Sequence, residues 1–290
     1  MKELTIISGK GGTGKTSITG SFAALAKNKV MADCDVDAAD LHLILKPEIK
    51  QRSDFSGGKV ASINPDACTG CGKCVEVCQF NAISDDFVVD PVSCEGCSVC
   101  VHFCPVNAID FDAVVNGEWY ISETRFGPMV HARLGIAEEN SGKLVSVVRQ
   151  QARQLAEQRG LELIIVDGAP GVGCPVISSL TGTQAVLIVT EPTLSGMHDL
   201  KRVVELSREH FNIPTYVCIN KFDLNVRVSD QIESFCREQN IVLVGKIHYD
   251  TVFTQAMIHE KTVVEYSRGE VTKDLQAIWD RLKADLNLNE

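Results

Sequence analysis

The segment that most narrows the fold is Gly9-Lys10-Gly11-Gly12-Thr13-Gly14-Lys15-Thr16. It lies between a short apolar run, LTIIS at 4–8, and a helical pattern from about Lys15 to Lys27. A glycine-rich loop that leaves a buried strand and opens a helix is the context of a P-loop. The glycines let backbone N–H groups turn inward around phosphate oxygens, and the helix N-terminus adds a favourable field. Gly11, Gly12, Thr13, Gly14, Lys15, Thr16 and Ser17 are therefore the candidate nucleotide-phosphate residues. In such a loop Lys15 reaches the β- and γ-phosphates and Thr16 ligates Mg²⁺. The plainer alternative is a glycine-rich turn that binds nothing.

The remaining pattern suits this start. KVMADCD (29–35), LELIIVDG (161–168), AVLIVT (185–190), TYVCIN (215–220) and IVLVGKI (241–247) read as buried strands. Helical patterns lie near 143–158, 195–211 and 228–239. Continuous β-branched runs alternating with amphipathic helices predict an α/β P-loop NTPase sheet, parallel and covered by helices on both faces. A chain of 290 residues with 44% hydrophobic composition has room for one such domain and something smaller. The polar, Gly/Ser-rich stretch 51–59 reads as a linker.

The smaller part announces itself by cysteine. Of 12 cysteines, eight crowd into two gapless repeats, CTGCGKCVEVCQFNAI (68–83) and CEGCSVCVHFCPVNAI (94–109). Tandem repeats of this kind mark a pseudo-symmetric module, expected at 58–113 and inserted between 1–57 and 114–290. The spacing matches the bacterial two-cluster ferredoxin run, in which the fourth cysteine of each repeat serves the other cluster. One 4Fe–4S cluster is thus expected on Cys68, Cys71, Cys74 and Cys104, and the second on Cys94, Cys97, Cys100 and Cys78. Zinc is the alternative, though zinc sites rarely show two tandem four-cysteine runs. Gln79 departs from the repeat by standing where the second copy keeps Pro105.

With Lys10 ahead of Lys15, the loop KGGTGKT resembles the deviant Walker A motif of the MinD/ParA/Mrp superfamily, to which the nitrogenase iron protein also belongs. Nearly the whole chain is similar to members of that superfamily carrying an inserted ferredoxin domain. The resemblance implies a homodimer bridged by ATP, with Lys10 reaching the partner's nucleotide. It further implies that Asp35 activates the attacking water, that Asp33 stands nearer the metal shell, and that Asp167 acts on Mg²⁺ through water. Gly168-Ala169-Pro170-Gly171 then forms the switch loop, and Asn220 contacts the base. Read alone, Asn220-Lys221-Phe222-Asp223 suggests guanine; the resemblance favours adenine.

Cys174 lies seven residues beyond Asp167, the spacing of a cluster-ligating cysteine in the nitrogenase iron protein. That implies a third cluster bridging two chains; the alternative is a small buried residue in a glycine-rich loop. Cys34, Cys218 and Cys236 read as packing residues. Arg125, His131 and Arg133, in YISETRFGPMVHARLGI, look exposed and receive no catalytic role.

A net charge of −10 disfavours nucleic acid as a partner. No stretch approaches the roughly 18–20 apolar residues of a spanning helix, so stable membrane insertion is not expected and the setting reads as cytoplasmic. Leu275, Ile278, Trp279, Leu282 and Leu286 share one helical face, expected to pack on the sheet rather than to target lipid. The expected role is ATP-gated electron transfer to an unidentified redox protein. The alternatives are a cluster carrier serving an acceptor protein and a redox-sensing positioning ATPase.

Overall fold

The computed structural model describes residues 1–135 and 141–288 and falls into two compact units. The first comprises residues 1–52, 119–133 and the chain from Ser141 onward; the second comprises 53–118 and the segment from Leu134.

In chain order the elements are β1 (Lys2–Ser8), α1 (Lys15–Leu25), β2 (Lys29–Asp33), α2 (Leu41–Leu45), β3 (Glu48–Phe55), β4 (Gly58–Ile63), α3 (Lys73–Val77), α4 (Val99–Phe103), β5 (Ile109–Val114), β6 (Gly117–Thr124) and β7 (Gly127–Leu134). Then follow α5 (Ser141–Arg159), β8 (Leu163–Pro170), α6 (Cys174–Leu180), β9 (Ala185–Thr190), α7 (Leu194–Glu205), β10 (Thr215–Asn220), α8 (Val226–Glu238), β11 (Val242–Ile247), α9 (Val252–Ile258), α10 (Val263–Tyr266) and α11 (Glu270–Asp285). A π-turn, Leu206–His210, continues α7.

Nine strands form one sheet in the order β11-β10-β9-β1-β8-β2-β7-β6-β3. From β11 to β7 every pairing is parallel, so these strands end on the same edge. Both faces of the central strands are buried, which is why they read as unbroken apolar runs. Leu4 and Ile6 of β1 join a core with Phe22, Met31, Ile165 and the C-terminal helix. Ile7 points the other way, into a second core with Val186, Ile188, Leu200, Val203 and Val217. Leu275, Ile278, Trp279, Leu282 and Leu286 are all buried in the first core, with Trp279 and Phe22 rings 5.2 Å apart. Helix α11 thus packs on the sheet, as its pattern predicts.

Two readings are corrected here. Residues 51–55 are not linker but the end of β3, an outermost strand whose side chains are nearly all exposed. An edge strand with polar residues on both faces carries no hydrophobic alternation to betray it. Strand β8 runs on to Pro170, so Gly168 and Ala169 belong to the sheet, and the loop begins at Gly171 (φ +92°). A Cβ at Gly168 would stand 2.7 Å from the Ile7 side chain, which ties that position to close strand packing.

The second unit is built on an antiparallel pair, β4 and β5, running from Gly58 opposite Val114 to Ile63 opposite Ile109. The repeats fold alike. Gly70 and Gly96, Gly72 and Ser98, and Asn81 and Asn107 all take left-handed backbone, each pair at matching repeat positions. Gly96 also lies against backbone, where a Cβ would meet the Lys59 carbonyl at 2.4 Å. Ala61, Cys74, Ile83 and Ile109 form the small core. Asn116 draws the unit wider than 58–113: its N–H donates to Phe55 O (2.9 Å), its Oδ1 accepts from Gly57 N (2.8 Å), and its carbonyl accepts from Gly135 N (2.9 Å).

Candidate nucleotide and cysteine sites

The parallel register decides which side chains meet. Asp33, at the end of β2, is the register partner of Asp167 on β8, and Asp167 is also opposite Ile6 on β1. The loop leaving β1 therefore starts beside two carboxylates in register, Asp33 at the end of β2 and Asp167 within β8. Gly12 (φ +80°) and Gly14 (φ +88°) give it a curvature that side-chain-bearing residues resist.

Lys15 dips into this cluster. Its Nζ lies 2.8 Å from Asp167 Oδ1, 3.3 Å from Asp35 Oδ2 and 3.4 Å from Thr16 Oγ1. Burial works against its charge, but Asp167, Asp35 and Asp33 outweigh it and raise its pKa. Burial also pushes Asp33 well above the usual carboxylate range, with Asp167 adding to it and Lys15 opposing. Asp35 is raised too, by burial against the pull of Lys15. Thr19, which the sequence reading passed over, donates to Asp167 Oδ1 at 2.9 Å from one turn beyond Lys15 and so fixes that carboxylate. Asp33 Oδ2 and Asp167 Oδ2 are buried without a hydrogen-bond partner. Acceptor oxygens left unpaired in a protein interior are costly, and a hydrated Mg²⁺ beside Thr16 is the group they would suit.

A groove of about 430 Å³ runs from the P-loop, through Asp35 and Asn220, to Tyr249, Asp250, Phe253 and Met257. Sequence reasoning missed this far wall, although it follows β11 on the same sheet edge, where α/β folds bind ligands. It is anchored by carboxylates: Asp223 Oδ1 accepts from Tyr249 N (2.7 Å), and Asp274 Oδ2 accepts from His248 N (3.2 Å) and lies 2.8 Å from His248 Nδ1. The Asp274 bond raises the His248 pKa.

Asn220 has a structural part as well. It is buried, its Nδ2 donates to Thr13 O (2.7 Å), and its Oδ1 accepts from Lys221 N (3.0 Å). One Nδ2 hydrogen and one Oδ1 lone pair are engaged inside the chain, so the side chain grips the loop from below while lining the groove. A Cβ on Gly14 would come within 2.4 Å of that Nδ2.

Lys10 rests on its own chain. Its Nζ contacts Glu191 Oε1 (2.7 Å), Ser195 Oγ (3.0 Å) and Thr193 Oγ1 (3.3 Å). The other Glu191 oxygen takes Lys221 Nζ at 3.2 Å, and Lys221 also donates to Gly12 O (3.1 Å). Burial would raise the Glu191 pKa, but the bonds from Lys10 and Lys221 outweigh it and hold it low. Ser17 is buried on α1 and lines the groove, and its carbonyl accepts from Ser21 Oγ.

In the second unit the repeats cross. Cys68, Cys71, Cys74 and Cys104 line one small cavity, and Cys78, Cys94, Cys97 and Cys100 line another. Three thiols of each set come from one repeat and the fourth from the other. Among the described residues no three His, Cys, Asp or Glu close in on a single point as a lone metal ion requires.

Other expectations are corrected. Cys174 is exposed at the start of α6, not buried in a glycine-rich loop. His131 is buried, 2.9 Å from Ser122 Oγ and stacked 5.0 Å from Tyr120, and burial lowers its pKa to about 4. Arg125 is tied to Glu265 (2.8 and 2.7 Å) and to the carbonyls of Ile44 and Leu45, which cap α2. Arg125 and Arg133 are exposed, as expected; His131 is not. Cys34, Cys218 and Cys236 are buried as expected. No helix among the described residues is long and apolar enough to cross a membrane.

Known proteins resemble this chain. An uncharacterized protein of Methanocaldococcus jannaschii is 35% identical over 97% of this chain and 96% of its own length. Solved structures match the fold at lower identity. One is the MinC:MinD cell division protein complex of Aquifex aeolicus, with TM-score 0.61, 14% identity, and 98% of this chain and 96% of that one covered. Another is septum site-determining MinD with Mg-ADP from Pyrococcus horikoshii, with TM-score 0.60, 14% identity, and 99% and 98% covered. The model of the CobQ/CobB/MinD/ParA nucleotide binding domain matches residues 4–263, and the chain belongs to that family.

Proposed function

We propose that this protein is an ATP-hydrolysing iron–sulfur protein, coupling an ATP-bridged homodimer cycle to electron transfer through two 4Fe–4S clusters. The observation that carries the reading is the crossing of cysteines between repeats around two cavities. Three-plus-one ligation with exchanged fourth ligands is the pattern of bacterial two-cluster ferredoxins, and on this reading the second unit is a ferredoxin-like insert. Zinc is the alternative, but zinc sites rarely show two tandem four-cysteine runs of this form. When bound, the clusters supply one-electron storage.

On the nucleotide side, the P-loop N–H groups and Lys15 hold the β- and γ-phosphates, and Thr16 ligates Mg²⁺. The unpaired oxygens of Asp33 and Asp167 face the hydrated ion, and Asp35 orients the attacking water. When phosphate draws Lys15 away, Asp33, Asp35 and Asp167 would be left to hold Mg²⁺, which would supply positive charge beside the phosphates. Lys10 leaves Glu191 to reach a partner's nucleotide, where a cation in trans offsets charge on the transferring phosphoryl group. The base lies toward Tyr249, and adenine is favoured by the resemblance to the MinD/ParA ATPases. The electron acceptor is a redox or cluster-acceptor protein in a reducing, cytoplasmic setting.

A second reading, a positioning ATPase whose cysteine module senses redox state, draws on the cell-division names of the structural neighbours. Against membrane positioning stands α11, whose apolar face is spent in the core. The test is reduction of the anaerobic protein with and without Mg·ATP, beside hydrolysis by the wild type and Lys15→Ala. Loss of hydrolysis in the variant and an ATP-dependent change in reduction rate support the coupling. Identical rates in every nucleotide state contradict it.

A further inference from the structure

The two cysteine-ringed cavities are not equivalent. Cysteine matches cysteine between the repeats, but the residues between them differ. Thr69, between Cys68 and Cys71, is matched by Glu95, between Cys94 and Cys97; Lys73, before Cys74, is matched by Val99, before Cys100. The charged side chain lining the first cavity is therefore Lys73, and that lining the second is Glu95. Lys73 Nζ pairs with Glu76 at 2.9 Å, which offsets part of its field and leaves Glu95 the larger difference. The Glu95 cavity is also the more apolar, walled by Phe80, Ile83, Val89, Val99 and Phe111. At the other site Cys104 Sγ accepts the Ala108 N–H at 3.2 Å.

These differences act in one direction, against which Lys59 Nζ, 5.3 Å from the centroid of the Phe111 ring, offsets part of the Glu95 field. Reduction adds one negative charge to a thiolate-bound centre that is already anionic. A neighbouring carboxylate and a dry wall oppose that charge, whereas a lysine and an N–H bonded to ligand sulfur favour it. Resting on the iron–sulfur reading above, we propose that the first electron taken up by the module is held at the Cys68/Cys71/Cys74/Cys104 site, and that Glu95 sets this order. One electron passes from a low-potential one-electron donor, which is oxidised. No bond is made or broken and no proton moves. The second electron fills the Glu95 site only at lower potential.

The test is a dithionite titration of the anaerobically purified full-length protein, followed by low-temperature EPR, with iron and acid-labile sulfide measured on the same sample. Two one-electron waves are expected, separated by at least a tenfold population bias, which is about 59 mV for one electron. Glu95→Gln raises the lower wave and leaves the upper in place; Lys73→Gln lowers the upper. Thr69→Glu, which puts a carboxylate at the favoured site, also lowers the upper wave and keeps the test decisive if Glu95→Gln loses iron. A single wave at full iron content overturns the proposal while leaving the iron–sulfur reading intact. So do unmoved waves in iron-replete Glu95→Gln and Thr69→Glu proteins. Absence of iron and sulfide from the wild type removes the reading and the proposal together.

Discussion

Lys15 stands among Asp33, Asp35 and Asp167, and without its charge three carboxylates would crowd a buried pocket. That crowding gives the site its chemistry, because it leaves oxygens to be satisfied by what enters with nucleotide. The neighbouring residues Asn220 and Glu191 hold the loop in shape. Asn220→Ala strips a bond from Thr13 O and opens a hole beneath Gly14. A loss of roughly 1–3 kcal/mol in stability is expected, together with weaker nucleotide binding, read by thermal denaturation and fluorescent-nucleotide titration. Glu191 carries a pH signature. Its native pKa is lowered, so its contribution is present above the ordinary value of 4.5 and lost as pH falls through the native one. Glu191→Gln should therefore be less stable than wild type near neutrality, by less than about 1 kcal/mol. The gap should close on acidification below pH 4.5, as melting curves across pH will show.

At the scale of elements, what was readable follows burial. Strands β9 and β10 match their apolar runs residue for residue, because strands covered on both faces leave no polar interruption. Strand β3 escaped notice because an edge strand solvated on both faces resembles a polar linker. The far wall of the groove also escaped notice. Tyr249 is half exposed on an irregular loop, and its place depends on Asp223 and Asp274 from separate elements. Helix α11 gives the sharpest test of packing. Its apolar face meets β11 so closely that a Cβ on Gly245 would stand 2.4 Å from Ile278 Cγ1. Trp279→Ala should cost about 3–5 kcal/mol in denaturant unfolding. Vesicles of anionic lipid should not retain the native protein in sedimentation; retention comparable to an amphipathic lipid-binding helix would show that the face is available after all.

For the molecule as a whole, the sequence carries its two units in different scripts. The sheet unit is written in strand periodicity and a phosphate loop, and register alone brings Asp33 to Asp167. The second unit is written in repeated cysteines and repeated left-handed positions, with Ser98 standing where the first repeat has Gly72. Its wider boundary could not be read, because Asn116 closes it through backbone bonds that no composition shift marks. The orientation of Lys10 could not be read either, since a flexible ammonium goes wherever Glu191 and two hydroxyls lie. The claim on which the account turns is that the eight repeat cysteines hold iron. Iron, zinc and acid-labile sulfide, counted per chain on anaerobically purified protein, measure this directly. Two crossed cubane sites predict about eight irons and eight sulfides. Stoichiometric zinc without sulfide, or no metal at all, would contradict it.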